Sequence, residues 1–335
     1  PGQLVGSKDR IHHDCPPSRS VTYFLQGLVL LLPFARNATK LRLNGVTNDD
    51  RDISVDTFRT VSLPLLKHFG IQGDQLVMKV VKRGCAPLGG GQVDVGCPIV
   101  KGIAPINLTE EGRFRRVRGV AFTTKMTPQF AVRMVDAARG VLNDFLPDVW
   151  IFSDHMKGEN TGRSPGFGLS LVAESHTGCL KGADAFGLSG RPQGSQGCGS
   201  TTYAASEPSL SSPSPDGATT KSQEEKMLAE QMLTPEEVGR RAALRLLSEC
   251  EMNSVVDTAH QIQMLHFTAL ANEDCASRFR LGKLSPATVQ YLRDVRSFFG
   301  VSFKFKEMDC GSDGGSSVTV SCVGLGFANI SRPTF

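Results

Sequence analysis

Arg278-Phe-Arg-Leu281, then Ser285-Pro-Ala-Thr-Val-Gln-Tyr-Leu-Arg-Asp-Val-Arg-Ser-Phe-Phe299, then Val301-Ser-Phe-Lys-Phe-Lys306 is the stretch on which the fold turns. It spells a short strand, a helix and an alternating strand. Ser285 is an N-cap with Pro286 at the first helical position, where the missing N–H costs nothing. In Val301–Lys306 the apolar residues fall on every second position, the period of a half-buried strand. A Gly-rich turn at Cys310–Gly315 leads to one more strand over Ser317–Val323. Residues 258–271, just before, have a helical pattern. The order is therefore helix, strand, helix, strand, strand.

The same order stands near the start of the chain. A helix pattern runs from Ser18 to Phe34 and is stopped by Pro33. Leu41-Arg-Leu43 is a short strand, and Asp52 or Ser54 caps a second helix that reaches Phe69 and closes at Gly70. Strands over Gln75–Val81 and Gln92–Cys97 flank Gly89-Gly-Gly91. Two blocks with one element order predict an α+β fold of tandem repeated units, two helices on a sheet, stacked around a shared core. The first block occupies residues 1–106 and the last 224–335.

Between them the pattern changes. Val117–Thr124, Val149–Ser153 and Gly168–Glu174 read as strands, and Pro128–Phe145 as a long helix, so residues 107–180 form a smaller inserted α/β domain. Residues 181–223 are a low-complexity, flexible insertion; from 187 to 222 they are so rich in Gly, Ser, Pro and Thr that too little apolar surface is present to offset ordering entropy. Helix pattern resumes at Glu224, and Thr234-Pro-Glu-Glu237 carries a capping box.

Composition excludes several classes. The run Val21–Phe34 is shorter than the ~20 residues that cross a bilayer, so no membrane segment is expected. Nine cysteines lack paired spacing, which points to reduced thiols. His12-His13-Asp14-Cys15 has no second ligand pair at zinc spacing, and no metal is expected. There is no P-loop and no G-x-G-x-x-G, so no nucleotide cofactor is expected; Gly89–Gly91 lies between strands, without a helix dipole to hold phosphate. The net charge of +4 is mildly basic. Local clusters are more informative. Arg113, Arg115, Arg116 and Arg118 form a run suited to a phosphate backbone, with Arg163 as a further contact. Arg293, Asp294 and Arg296 put an acid between two cations on one helix, a candidate RNA-cleaving face. Asp257 caps a helix start, and His260 follows it.

Leu43-Asn-Gly-Val-Thr-Asn-Asp49, Leu63-Pro-Leu-Leu-Lys67, Gly89-Gly-Gly-Gln-Val93, Asp154-His-Met-Lys-Gly158, Ser164-Pro-Gly-Phe-Gly-Leu-Ser-Leu-Val-Ala-Glu174 and Ser297-Phe-Phe299 together resemble the RNA 3′-terminal phosphate cyclase-like branch of the RNA 3′-phosphate cyclase superfamily. The resemblance implies tandem α+β repeats with an inserted small domain and a further repeat ahead of Pro1. Catalytic members are expected to carry a nucleophilic His four residues before a Gln. Four before Gln261 stands Asp257, which cannot form the required phosphoramidate; His260 sits about 60° away around a helix. The expectation is a nucleolar ribosome-biogenesis factor for small-subunit pre-rRNA processing, without cyclase activity. Its implied partners are a ribosome-assembly GTPase, pre-rRNA and the small nucleolar ribonucleoprotein of the processome. The alternatives are a pre-rRNA endoribonuclease using Arg293, Asp294 and Arg296 or, less favoured by the spacing, an active cyclase using His260.

Overall fold

The structure is a computed structural model that describes residues 4–7, 9–187, 233–308 and 317–330. It contains three four-stranded sheets. The first outer unit begins with strand β1 (Arg10–Asp14) and helix α1 (Val21–Leu31). Ser20 caps α1, its hydroxyl accepting the Thr22 N–H, and Val21, Leu25 and Val29 turn inward at helical spacing. Pro33 ends the helix in a 3-10 turn, Leu32–Phe34. Strand β2 (Thr39–Gly45) alternates buried and half-exposed residues. Of the two sequence candidates for the next cap, Ser54 does the capping, accepting from Thr57 N–H; Asp52 is bonded instead to the Arg19 guanidinium and the Ser20 N–H. Helix α2 (Val55–Thr57) continues through a π turn, Phe58–Ser62, into α3 (Leu63–His68) and stops at Gly70, whose φ of 82° suits a residue without Cβ. Strands β3 (Val77–Lys82) and β4 (Gly91–Cys97) complete the sheet, in the order β1-β2-β4-β3 with β1 and β2 parallel.

The second outer unit uses strand β5 (Asn107–Leu108), helix α6 (Gln261–Leu270), strand β10 (Ser277–Leu281), helix α7 (Pro286–Phe299) and strands β11 (Lys304–Met308) and β12 (Ser317–Cys322). Its sheet runs β5-β10-β12-β11, again with the first pair parallel and the rest antiparallel. The registers match residue for residue. Thr39 faces Cys97 where Ser277 faces Cys322; Leu41 faces Val95 where Phe279 faces Val320; Arg42 faces Asp94 where Arg280 faces Thr319. Both units bury their helical sides in one core, where Leu25, Leu66, Phe69, Leu265, Phe267 and Phe279 meet. The Phe69 and Phe267 rings lie 5.4 Å apart.

The middle unit has strands β6 (Phe114–Thr124), β7 (Val149–Met156), β8 (Gly166–Ser175) and β9 (Leu180–Phe186) in the order β7-β6-β8-β9, with helix α4 (Gln129–Leu142) packed on it. Helix α5 (Pro235–Glu251) packs here too. Its stripe Val238, Ala242 and Leu246 joins the core of Met134, Leu169 and Leu171, so the residues from 235 to 251 serve the middle sheet rather than the last unit. Two other placements differ from the sequence reading. β5 is an edge strand of the second outer sheet although it precedes the middle unit, and β9 carries the middle sheet on to Phe186. A two-residue strand has no period to read, and β9 abuts the low-complexity stretch. That stretch from residue 188, the helix start at Glu224 and the turn Cys310–Gly315 lie outside the described residues. No helix among the described residues is long and apolar enough to cross a membrane.

Candidate functional site

Asn253–Gln261 runs between α5 and α6 and enters α6 through a 3-10 turn, Thr258–His260. Asp257 caps that turn by accepting the His260 N–H at 3.0 Å. The same oxygen lies 2.5 Å from His260 Nδ1, and the other oxygen accepts the Gly182 N–H of β9 at 2.8 Å. On the far side of the imidazole, Nε2 is 2.7 Å from Ser62 Oγ. Asp257 and His260 are each 1 % exposed. Burial opposes charge on both, but each outweighs that cost for the other: the imidazole is held above its usual value and the carboxyl below its own.

A second layer surrounds the pair. Glu249 accepts from Thr258 N–H and hydroxyl, and its carbonyl accepts from Lys181 Nζ at 2.7 Å. Lys181, fully buried, is also ion-paired with Glu111. Asp184 accepts from the Ser54 N–H and from the Ser54 and Thr57 hydroxyls, and burial raises its carboxyl above the ordinary range. The order Ser62, His260, Asp257 imitates a nucleophile–base–acid relay, but a relay needs a substrate beside it. The adjoining cavity, lined by Val61, Leu65, Leu180 and Val256, holds about 10 Å³, room for one water at most and none for a substrate. This is a structural lock between β9 and both outer units.

The glycine segments close on each other. Gly89 and Gly90 have φ of 62° and 83°. Gly162 N–H donates to the Arg83 carbonyl, Arg163 N–H to the Gly89 carbonyl at 2.8 Å, and Leu88 N–H to the Ser164 hydroxyl. The loop's backbone is spent on this junction, so the structure places Gly89–Gly91 as a turn. Nearby, Arg83 (2 % exposed) forks onto Asp56 at 2.6 and 2.9 Å and reaches Asp154 at 2.7 Å. Neither Arg83 nor Lys181 is flagged by spacing, because their partners lie tens of residues away in sequence.

The predicted RNA contacts are separated. Arg115 and Arg116 both pair with Glu174, and Arg118 forks onto Asp148 at 2.8 and 2.9 Å. Arg113 and Arg163 are exposed, and no ion pair holds either one among the described residues. On α7, Arg293, Asp294 and Arg296 are all exposed. Asp294 accepts from Gln290 Nε2 at 2.9 Å and lines a cavity of about 640 Å³ between α1, α6 and α7, with Tyr23, Phe24, Gln263 and Tyr291. Arg293 and Arg296 stand outside that lining, and Arg296 is about 160° from Asp294 around the helix. Among the described residues, no cluster of three or more His, Cys, Asp or Glu has the arrangement of a metal site.

Two outer sheets of one topology, a third four-stranded sheet inserted between them and the glycine junction have relatives. The profile of the RNA 3′-terminal phosphate cyclase family matches residues 1–305, and the chain belongs to that family. Within it, the chain is similar to cyclase-like proteins. It is 40 % identical over 334 residues to the "RNA 3'-terminal phosphate cyclase-like protein" of Homo sapiens, covering 99 % of this chain and 79 % of that one. It is 40 % identical to the "Probable RNA 3'-terminal phosphate cyclase-like protein" of Dictyostelium discoideum, covering 100 % and 81 %. To the "rRNA processing protein rcl1" of Schizosaccharomyces pombe it is 36 % identical, covering 99 % and 78 %.

Proposed function

We propose that this chain is a small-subunit pre-rRNA processing factor that uses the cyclase fold as a scaffold and does not transfer adenylate. The observation that carries this is the sealing of Asn253–Gln261: Asp257 and His260 spend their polar atoms on each other, Gly182 and Ser62, at 1 % exposure. A nucleophile for ATP must meet a phosphorus in line, which this packing forbids. The name of the Schizosaccharomyces pombe relative supports the rRNA assignment. On this reading the protein works in the nucleolus, within the small-subunit processome, beside a ribosome-assembly GTPase and the small nucleolar ribonucleoprotein. The matched registers of the outer sheets support their origin as copies of one repeated unit, with the middle unit inserted between β5 and α6.

A second reading, cleavage of pre-rRNA by the protein itself, is favoured by the placement of Asp294 in the lining of a cavity large enough for a nucleotide, although Arg293 and Arg296 do not join it there. One experiment addresses both. The purified chain is incubated with α-labelled ATP and with a 3′-phosphorylated small-subunit precursor RNA. The expected outcome is no label on the protein and no cyclised RNA end; labelled protein lost in His260→Ala overturns the proposal. Endonucleolytic cutting that vanishes in Asp294→Ala, with RNA binding kept, establishes the second reading.

A further inference from the structure

The matched registers let one outer sheet serve as a control for the other. On the open face of the first sheet, away from the core, the outward residues include Arg10, Lys40, Arg42, Lys79 and, between them, Asp94, with Asp14 further along β1. Asp94 takes a forked bond from Arg42 at 2.6 and 2.7 Å and an ion pair from Arg10, so one carboxylate holds both arginines of this face. Its carboxyl is held below the ordinary range by those arginines.

The second sheet keeps most of these cations and lacks that carboxylate. Register puts Arg278 and Arg280 where the first sheet has Lys40 and Arg42, and Lys306 where it has Lys79. Lys304 replaces the uncharged Val77, and Thr319 stands where Asp94 would be. Four cations thus share one open face, in two pairs about 6.7 Å apart along their strands and about 10 Å across. Only the hydroxyls of Thr319 and Ser321 lie between them. No carboxylate occupies any of these outward positions; Glu307 falls in the opposite register, with Val318 and Leu281. Arg278, Lys304 and Lys306 are exposed, and no hydrogen bond or ion pair holds them among the described residues. The Arg280 Nε is shut off from solvent without an acceptor, and the Glu111 carboxylate near that guanidinium is already paired with Lys181.

We infer that the open face of the second outer sheet, Arg278, Arg280, Lys304 and Lys306 around Thr319 and Ser321, is a docking surface for the phosphodiester backbone of a single-stranded RNA. Charge complementarity names the occupant: a flat grid of unpaired cations with hydroxyl donors suits a repeating anion, and the outward positions offer no apolar wedge for a bilayer and no pocket for a protein anchor. Such a surface positions a strand without reading its sequence. The inference rests on the proposed role in RNA processing, and it locates the contact on a face that the arginine run of β6 does not share.

The test restores in the second sheet what the first one has. In Thr319→Asp, the new carboxylate faces Arg280 and Lys306 as Asp94 faces Arg42 and Lys79. Binding of a fluorescent single-stranded RNA to the whole chain is measured by anisotropy across a salt series. The wild-type chain should bind oligo-U and oligo-A alike. Thr319→Asp should weaken both several-fold and flatten the log–log salt slope by about 1.4, at roughly 0.7 per lost phosphate contact. Lys304→Gln with Lys306→Gln, at exposed positions that cannot disturb the core, should do the same and carries the test if Thr319→Asp fails to fold. Unchanged affinity and slope in the lysine variant overturn the surface and leave the proposed function standing. A wild-type chain that binds no RNA overturns both. Binding to phosphatidylserine vesicles, with none to RNA, overturns the inference in favour of a membrane headgroup.

Discussion

Asp257 shows how much depends on where a carboxylate sits. Exposed at a helix start, an Asp cap contributes about 1 kcal/mol. Sealed between β9 and α6 it accepts three hydrogen bonds and neutralises an imidazolium. Asp257→Asn should therefore cost about 3–5 kcal/mol, the usual penalty for stranding one member of a buried pair. The cost should vary with pH in a defined direction. His260 has a folded-state value above its unfolded one, near 6.5, so its contribution is complete below about pH 6.5 and fades as pH rises through the folded value. Asp257 has a folded value below its unfolded one, so its contribution is present above about pH 3.9 and fades as pH falls through the folded value. Urea denaturation of wild type and Asp257→Asn should show the largest gap between about pH 4 and 6.5, narrowing at alkaline pH. A gap that widens toward pH 9 would mean that the pair is not ionic.

Helices show what sequence order can and cannot reveal. The caps at Ser285 and Thr234 and the stop at Pro33 were legible because each acts on its own neighbours. The strands β2, β4, β10 and β12 were legible as single segments and β11 through the alternation of Val301–Lys306, but not which strand pairs with which. The allegiance of α5 was not, because an apolar stripe says that a helix buries one face without saying against what. The site was less legible still: Asp257 was visible as a cap, whereas its bonds to Gly182 and, through His260, to Ser62 join residues far apart in the chain. Two glycines in the α4–α5 pair turn the same limit into a prediction. Gly140, in α4, has open space where a Cβ would stand. Gly239, in α5, has the Met134 carbonyl oxygen 2.3 Å from that point, so the helices touch backbone to backbone. Gly140→Ala should stabilise by about 0.5–1 kcal/mol through helix propensity. Gly239→Ala should destabilise by about 1–3 kcal/mol, as overpacking does, by pushing α5 off α4. Thermal midpoints that move the same way for both would refute this account of the helix crossing.

Across the whole molecule, buried charge sits where the three sheets meet. Asp184 projects from β9 onto Ser54 and Thr57 of the first outer unit, Lys181 on the opposite face of β9 is held by Glu111 and the Glu249 carbonyl of α5, and Arg83 leaves β3 to meet Asp56 of α2 and Asp154 of β7. Apolar cores fill each side, so these polar joints fix the orientation of the middle unit, which in turn seals Asp257 and His260. Arg83 is the clearest case, since one guanidinium touches two units and stacks over the Phe122 ring at 4.9 Å. Arg83→Met leaves Asp56, 1 % exposed, without its forked partner, with Arg59 at 3.4 Å as its remaining ion pair, and should cost about 3–5 kcal/mol. Arg83→Met combined with Asp56→Asn removes the stranded charge as well and should recover a good part of that loss, since deleting both members of a buried pair costs less than deleting one. Because Gly162 and Arg163 are held by the carbonyls of Arg83 and Gly89, their amides should exchange with solvent faster in the single variant than in the double. Denaturant midpoints for the four members of this cycle, with exchange read at those two amides, decide the matter. Additive losses with unchanged exchange would show that the middle unit is held by its apolar contacts alone.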